Sequence, residues 1–215
     1  MTIVWTLRRL VSVPAAACVV IIAAGAGVRG QQTLTPEWIA GETGASFADT
    51  PRTAWRSDGW LWVYDPRDPA RRSGFELVNP STGAHRTVGD SVKALAALNA
   101  ALPASEALRA LPWPGTLDEA GEQGLYVVNG DVFLIRLETG DVLRVTNTPQ
   151  PETAATFSPD GRRIAFVRAH DLYVFDARSR TETRLTRDGS DTVLNGTLSW
   201  VYWEEVFGRR DVGYW

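Results

Sequence analysis

The chain has 215 residues, room for one or two ordinary domains, with 44% hydrophobic and 22% charged residues, the balance of a globular protein. A net charge of −3 and an isoelectric point near 5.5 give no electrostatic case for nucleic acid as a partner. The single cysteine, Cys18, excludes an internal disulfide.

At the N-terminus, Arg8 and Arg9 precede an apolar run from Leu10 to Val28; the small residues Ala24-Gly25-Ala26 lie in its last part, and polar Gln31-Gln32 follow. This is the pattern of a secretory signal. Residues 1–30 are therefore expected to direct export, with a mature chain starting between Gly27 and Gln32 in the periplasm or outside the cell. The alternative is an uncleaved membrane anchor at residues 10–28, because the run approaches bilayer-spanning length. Cys18 lies inside it, so the exported part would carry no thiol. Residues 31–53 read as an N-terminal extension, in which Thr35 would cap a short helix beginning at Pro36.

Residues 54–215 are dominated by strand signals. Trp55 to Tyr64 reads as strand, Asp58-Gly59 turn, strand. Phe75–Val78 and His85–Val88 flank the turn-rich Asn79-Pro80-Ser81-Thr82-Gly83. One stretch breaks the pattern: residues 91–111 are rich in Ala and Leu, with Val92, Leu95, Ala96 and Leu98 near helical spacing. It reads as a helical insertion, divided by Pro103 into two short helices and stopped by Pro112 and Pro114. The nine tryptophans are expected mostly in core or inter-strand packing.

A repeat follows. Asp131-Val132-Phe133-Leu134-Ile135, a turn, and Val142-Leu143-Arg144-Val145-Thr146 are matched about 40 residues later by Asp171-Leu172-Tyr173-Val174-Phe175, a turn, and Thr183-Arg184-Leu185-Thr186. Between the copies, Pro159 and Gly161 set a hairpin in Phe157-Ser158-Pro159-Asp160-Gly161, expected to join two inner strands. A period of this length built from short strands indicates β-propeller blades, since one four-stranded blade cannot bury both faces alone. The expected fold class is all-β: an incomplete propeller of about three four-stranded blades in residues 54–215, with the helical insertion and the N-terminal signal segment.

Few residues offer chemistry. No Gly-x-Ser-x-Gly elbow is present, so no α/β-hydrolase nucleophile is visible. His85 and His170, the two histidines, fall on a strand and in a tight turn, where solvent-facing roles are expected. No cluster has metal-ligand spacing and no glycine-rich phosphate loop precedes a helix, so no catalytic residue, metal or cofactor is assigned. What remains is Glu204-Glu205, framed by Trp200, Tyr202, Trp203 and Phe207. Neighbouring glutamates reach one point only from a helical turn or an irregular loop. Together they can accept two of an ammonium's three N–H donors, each charge-assisted bond contributing roughly 1.5–3 kcal/mol. A solvated surface pair is the alternative.

The Phe157–Gly161 phrase resembles the repeat of prolyl-oligopeptidase-type and TolB-type propellers. Asn195-Gly196, Trp200-Val201-Tyr202 and Glu204-Glu205-Val206-Phe207, after a blade ending at Leu185-Thr186, resemble the dipeptidyl peptidase IV family of serine peptidases. The resemblance covers roughly Trp55 to Trp215. It implies an eight-bladed propeller and a C-terminal α/β-hydrolase domain, absent from these residues, that would supply Ser, Asp and His. It also implies that Glu204 and Glu205 anchor the free N-terminus of a peptide substrate, so that dipeptides are removed, and that the complete enzyme could pair as a homodimer. Ser199 and Trp203 depart from the family's acidic residues. The stretch Gly121–Tyr126 lacks the arginine that grips a substrate carbonyl there. On these grounds these residues alone should not hydrolyse peptides. The other class of reading is a non-enzymatic TolB-like periplasmic propeller that mediates protein or peptide binding.

Overall fold

The computed structural model describes residues 35–37, 41, 51–65, 75–88, 91–209 and 215. The signal or anchor at residues 1–30 lies outside them. Of the short helix in the extension, Pro36 and Glu37 are helical, and its other residues are not described except Thr35.

Three four-stranded antiparallel sheets follow one another, each in simple meander order. The first comprises β1 (Arg52–Trp55), β2 (Leu61–Tyr64), β3 (Phe75–Asn79) and β4 (Ala84–Val88). Helix α1 (Ser91–Ala100) leads to the second, β5 (Thr116–Leu117), β6 (Gln123–Val128), β7 (Asp131–Arg136) and β8 (Asp141–Arg144). The third holds β9 (Glu152–Phe157), β10 (Arg163–Arg168), β11 (Asp171–Asp176) and β12 (Thr181–Arg184). Consecutive strands pair antiparallel, so alternate connections emerge at opposite ends of each sheet. The last three strands of the second and third sheets are offset by the same interval of about 40 residues that the sequence repeat shows.

The packing explains why such sheets stack. Strand β7 reads Asp-Val-Phe-Leu-Ile-Arg, apolar on both faces, and its first five residues are buried. Phe133 and Ile135 point to a core shared with the first sheet: Trp62, Phe75, Leu77 and, from α1, Ala94 and Leu98. Val132 and Leu134 point the other way, to Ile164, Phe166 and Phe175 of the third sheet. The two-residue period of a strand thus feeds two separate cores from one blade. Phe133, fully buried, contributes about 1.5–3 kcal/mol by leaving water. Polar bonds join the same layers: Trp62 Nε1 donates to the Gly121 carbonyl at 2.6 Å, and buried Arg56 reaches Glu138 at 3.1 Å.

Helix α1 seals one end of the first core, and Ala94 and Leu98, one turn apart, are its buried apolar residues. Beyond Pro103 the chain makes only a 3₁₀ turn, Ala104–Glu106, before it extends at Ala107. Pro103 thus divides the helical stretch as expected, but the second piece is a single 3₁₀ turn. The Ser158–Gly161 hairpin links β9, an edge strand of its sheet rather than an inner one, to β10. Tryptophan packing is also narrower than composition suggests. Trp62 is fully buried and Trp60 and Trp113 pack partly against the first core, but Trp55, Trp200 and Trp215 are exposed.

Candidate substrate-binding site

The connection leaving β12 carries the glutamates, and one aspartate organises it. Asp171, at the start of β11, is almost completely buried. Its Oδ1 accepts hydrogen bonds from Thr186 Oγ1 at 2.7 Å, the Gly189 amide at 3.0 Å and Asn195 Nδ2 at 3.3 Å, while Oδ2 pairs with Arg184. Burial pushes this carboxyl up, but the bonds from Thr186, Arg184 and Gly189 outweigh it and hold the pKa at about 2. The second blade repeats the device: Asp131 accepts from Thr146 Oγ1 at 3.3 Å and from the Thr148 amide at 3.1 Å, and pairs with Arg144 at 2.5 Å. In both blades the residue opening the third strand fixes the connection after the fourth.

Close backbone contact completes the anchorage. The Asn195 amide donates to the His170 carbonyl at 3.0 Å. Gly189 passes so near that a Cβ there would stand 2.5 Å from the His170 oxygen, so the site requires glycine. From this fixed loop the chain turns helical at Trp200 and continues as a π-helical turn, Tyr202–Phe207, closed by Gly208 in the left-handed conformation at φ 61°. The Tyr202 and Trp203 amides donate to the Ser199 carbonyl at 3.0 and 3.1 Å.

Glu204 and Glu205 sit in the middle of this turn, both exposed. Neither makes an ion pair among the described residues. A helical turn is the local geometry from which adjacent long side chains can serve one cation. Tyr202 and Phe207 stack at 6.4 Å over the turn. Half-buried Trp203 faces a cleft of about 440 Å³ that also includes Thr153, Val167, His170 and Leu198. Arg209 is exposed, and Arg210 lies outside the described residues.

The histidines are engaged elsewhere. His85 Nδ1 lies 2.6 Å from Glu76 Oε1 on the first blade, and His170 Nε2 lies 3.5 Å from exposed Asp191. Neither stands beside a serine with an acid behind it, the arrangement nucleophilic catalysis needs. No group of three or more His, Cys, Asp or Glu suited to a metal occurs among the described residues. The Asp171 hub escaped the sequence reading, although its signal was there: Asp131, Arg144 and Thr146 recur as Asp171, Arg184 and Thr186.

Successive four-stranded meanders that share cores face to face define blades of a β-propeller. Residues 119–215, which include the glutamate turn, match the family described as the dipeptidyl peptidase IV (DPP IV) N-terminal region. A probable dipeptidyl-aminopeptidase B of Emericella nidulans is 26% identical over 179 residues, 83% of this chain and 19% of that protein. A probable dipeptidyl peptidase 4 of Aspergillus clavatus is 48% identical over 56 residues, 26% of this chain and 7% of that protein. The crystal structure of Porphyromonas gingivalis dipeptidyl peptidase 4 superposes with a TM-score of 0.55 at 21% identity, over 85% of this chain and 26% of that one. The chain therefore resembles the N-terminal propeller region of dipeptidyl peptidases, and it spans well under a third of the length of each of these proteins.

Proposed function

We propose that this chain is the substrate-reading propeller portion of an exported dipeptidyl peptidase that removes dipeptides from peptide N-termini. The observation carrying this reading is the exposed Glu204-Glu205 pair on a helical turn, without an ion pair among the described residues and inside the segment that matches the dipeptidyl peptidase IV N-terminal region. The α-ammonium of a peptide brings a positive charge, and two of its N–H groups would donate to the two carboxylates. An ammonium fixed there sets the distance from chain end to scissile bond, which is how a binding site counts residues. A charged amino terminus would gain these charge-assisted bonds and a blocked one would not.

The bond-breaking groups would come from an α/β-hydrolase domain, because these residues hold neither a nucleophile elbow nor a histidine in a triad. Its serine would attack the carbonyl after the second residue, with acyl-enzyme formation and hydrolysis following. The propeller's part is positioning. Peptides with a free N-terminus are the proposed partners, and the periplasm or cell exterior the proposed location.

The test uses the complete enzyme carrying these residues. Glu204→Gln and Glu205→Gln keep shape and remove one charge each. Each should lower kcat/KM on free-amino dipeptide substrates by about ten- to a hundredfold, the equivalent of roughly 1.5–3 kcal/mol. N-acetylated substrates should be poor with the parent and lose little further. Unchanged hydrolysis of free-amino substrates by both variants would leave the pair as a solvated surface feature and end this reading.

A further inference from the structure

A second cleft, of about 520 Å³, opens between the second and third blades. It lies at the end of the sheets where β9 turns into β10 and β11 into β12, opposite the end that carries the glutamate turn. Four arginines from separate places converge on it: Arg136 from the end of β7, Arg162 from the Ser158–Gly161 hairpin, and Arg178 and Arg180 from the β11–β12 turn. Its floor is apolar, with Leu134, Val142 and Leu143.

Six arginines elsewhere in the blades behave differently. Arg56, Arg86, Arg144, Arg163, Arg168 and Arg184 each face a carboxylate within 4.0 Å. None of the four cleft arginines forms an ion pair with a described residue. The one carboxylate lining the cleft, Asp141, is held by Lys93 at 2.6 Å and by Thr139 Oγ1 at 2.8 Å, and its cross-strand partner Arg136 attracts it without an ion-pair contact. Nearby Asp160 accepts from Ser158 Oγ at 2.6 Å and from the Arg162 amide at 3.1 Å. Four arginines lining one concavity of a chain of net charge −3 are a local reversal of sign.

We propose that this cleft binds a small polyanion of the phosphate type, bearing at least two anionic groups. Guanidinium forks bond oxyanions through paired N–H donors, and donors on three separate elements can bracket a ligand with more than one such group. The volume is that of a small-molecule site, and the apolar floor would accept a short carbon frame between the charges. Both walls come from blades present in this chain, so the site needs no further domain. It is also separate from the glutamate turn, so it stands or falls independently of peptide recognition.

Calorimetric titration of the full chain with inorganic pyrophosphate tests it. Saturable binding that weakens as salt rises is expected. Arg162→Gln/Arg178→Gln should weaken it by at least about tenfold, the loss of one or more charge-assisted contacts. Arg187→Gln, removing an exposed arginine at the other end of the blade, should bind like the parent. A second readout needs no variant: pyrophosphate should protect Arg136, Arg162, Arg178 and Arg180, but not Arg187, from phenylglyoxal, read by peptide mass. Absence of saturable binding, or equal protection of Arg187, overturns the proposal. So does binding to phosphatidylglycerol vesicles that pyrophosphate does not compete away, which would make the arginines a membrane-facing surface.

Discussion

Arg168→Met should be among the most damaging single changes in the third blade. Arg168 closes β10, and its cross-strand partner in β9 is Glu152. Its Nε donates to Glu152 at 2.6 Å, and its two terminal nitrogens donate to Glu182 at 2.8 and 2.9 Å. The guanidinium also lies over the rings of Phe166 and Tyr173, 5.3 and 4.6 Å from their centroids. The bonds to Glu182, and then those to Glu152, hold its proton more firmly than in a free arginine, burial notwithstanding. The two acids differ in setting: the Glu152 side chain is 0% exposed and that of Glu182 is 34% exposed.

Removing the arginine leaves the Glu152 charge buried with only the hydroxyls of Thr146 and Thr148, at 2.5 and 2.8 Å. Breaking a buried pair in this way costs about 3–5 kcal/mol. Glu182→Gln, at the partly wet end, should cost no more than about 1 kcal/mol. For a unit of this size each kilocalorie shifts the melting midpoint by roughly 2–4 °C, so Arg168→Met should lower it by about 6–20 °C. Replacing both members, Glu152→Met/Arg168→Met, removes the stranded charge and should recover most of the loss. Thermal melts followed by circular dichroism measure all four proteins. Were Arg168→Met to melt within a degree or two of Glu182→Gln, or the double variant to melt lower still, the network would be no buried charge pair.

Three further outcomes follow from the same geometry. The Asp171 carboxyl has its pKa lowered to about 2 from an ordinary 3.8, so its stabilisation is present above the ordinary value and lost as pH falls from about 4 toward 2; Asp171→Asn should flatten the acid limb of the stability profile in that window. Gly189→Ala places a methyl against the His170 carbonyl and should cost about 1–3 kcal/mol by displacing the loop before the glutamate turn, read as a lower melting midpoint and faster proteolysis within residues 186–199. The buried Tyr126 hydroxyl has no hydrogen-bond partner among the described residues, and burial pushes its pKa up, so Tyr126→Phe should raise stability by about 1 kcal/mol in urea denaturation.

How far the sequence carried depends on whether the controlling physics is local. The blade repeat was legible because strand period and turn chemistry are written in consecutive residues: Asp-Val-Phe-Leu-Ile must bury both faces, and Pro159 and Gly161 set a hairpin whatever surrounds it. The second helix after Pro103 was overestimated because Ala and Leu content measures propensity, while the adjoining segment is drawn out to bring Leu111 and Trp113 onto the first core. Tryptophans were expected mostly in the core by type, yet Trp55 is exposed: burial depends on what lies opposite, and composition carries no information about that. The glutamate pair was found from its neighbours in sequence. The Asp171 hub that carries it and the arginine cleft were missed for one reason. Each gathers residues separated in the chain, Asp171 with Asn195 within one blade and Arg136 with Arg180 across two, and such groupings exist only once the strands have paired and the blades have stacked. The repeat still held a usable hint. An aspartate, an arginine and a threonine returning at the same offsets in both copies contribute no apolar packing, so a repeated structural bond was the physical reason available for them. Arg136, Arg162, Arg178 and Arg180 follow no such rule. Their significance rests on their meeting at one cleft without an ion pair to a described residue, which the order of residues along a chain does not reveal.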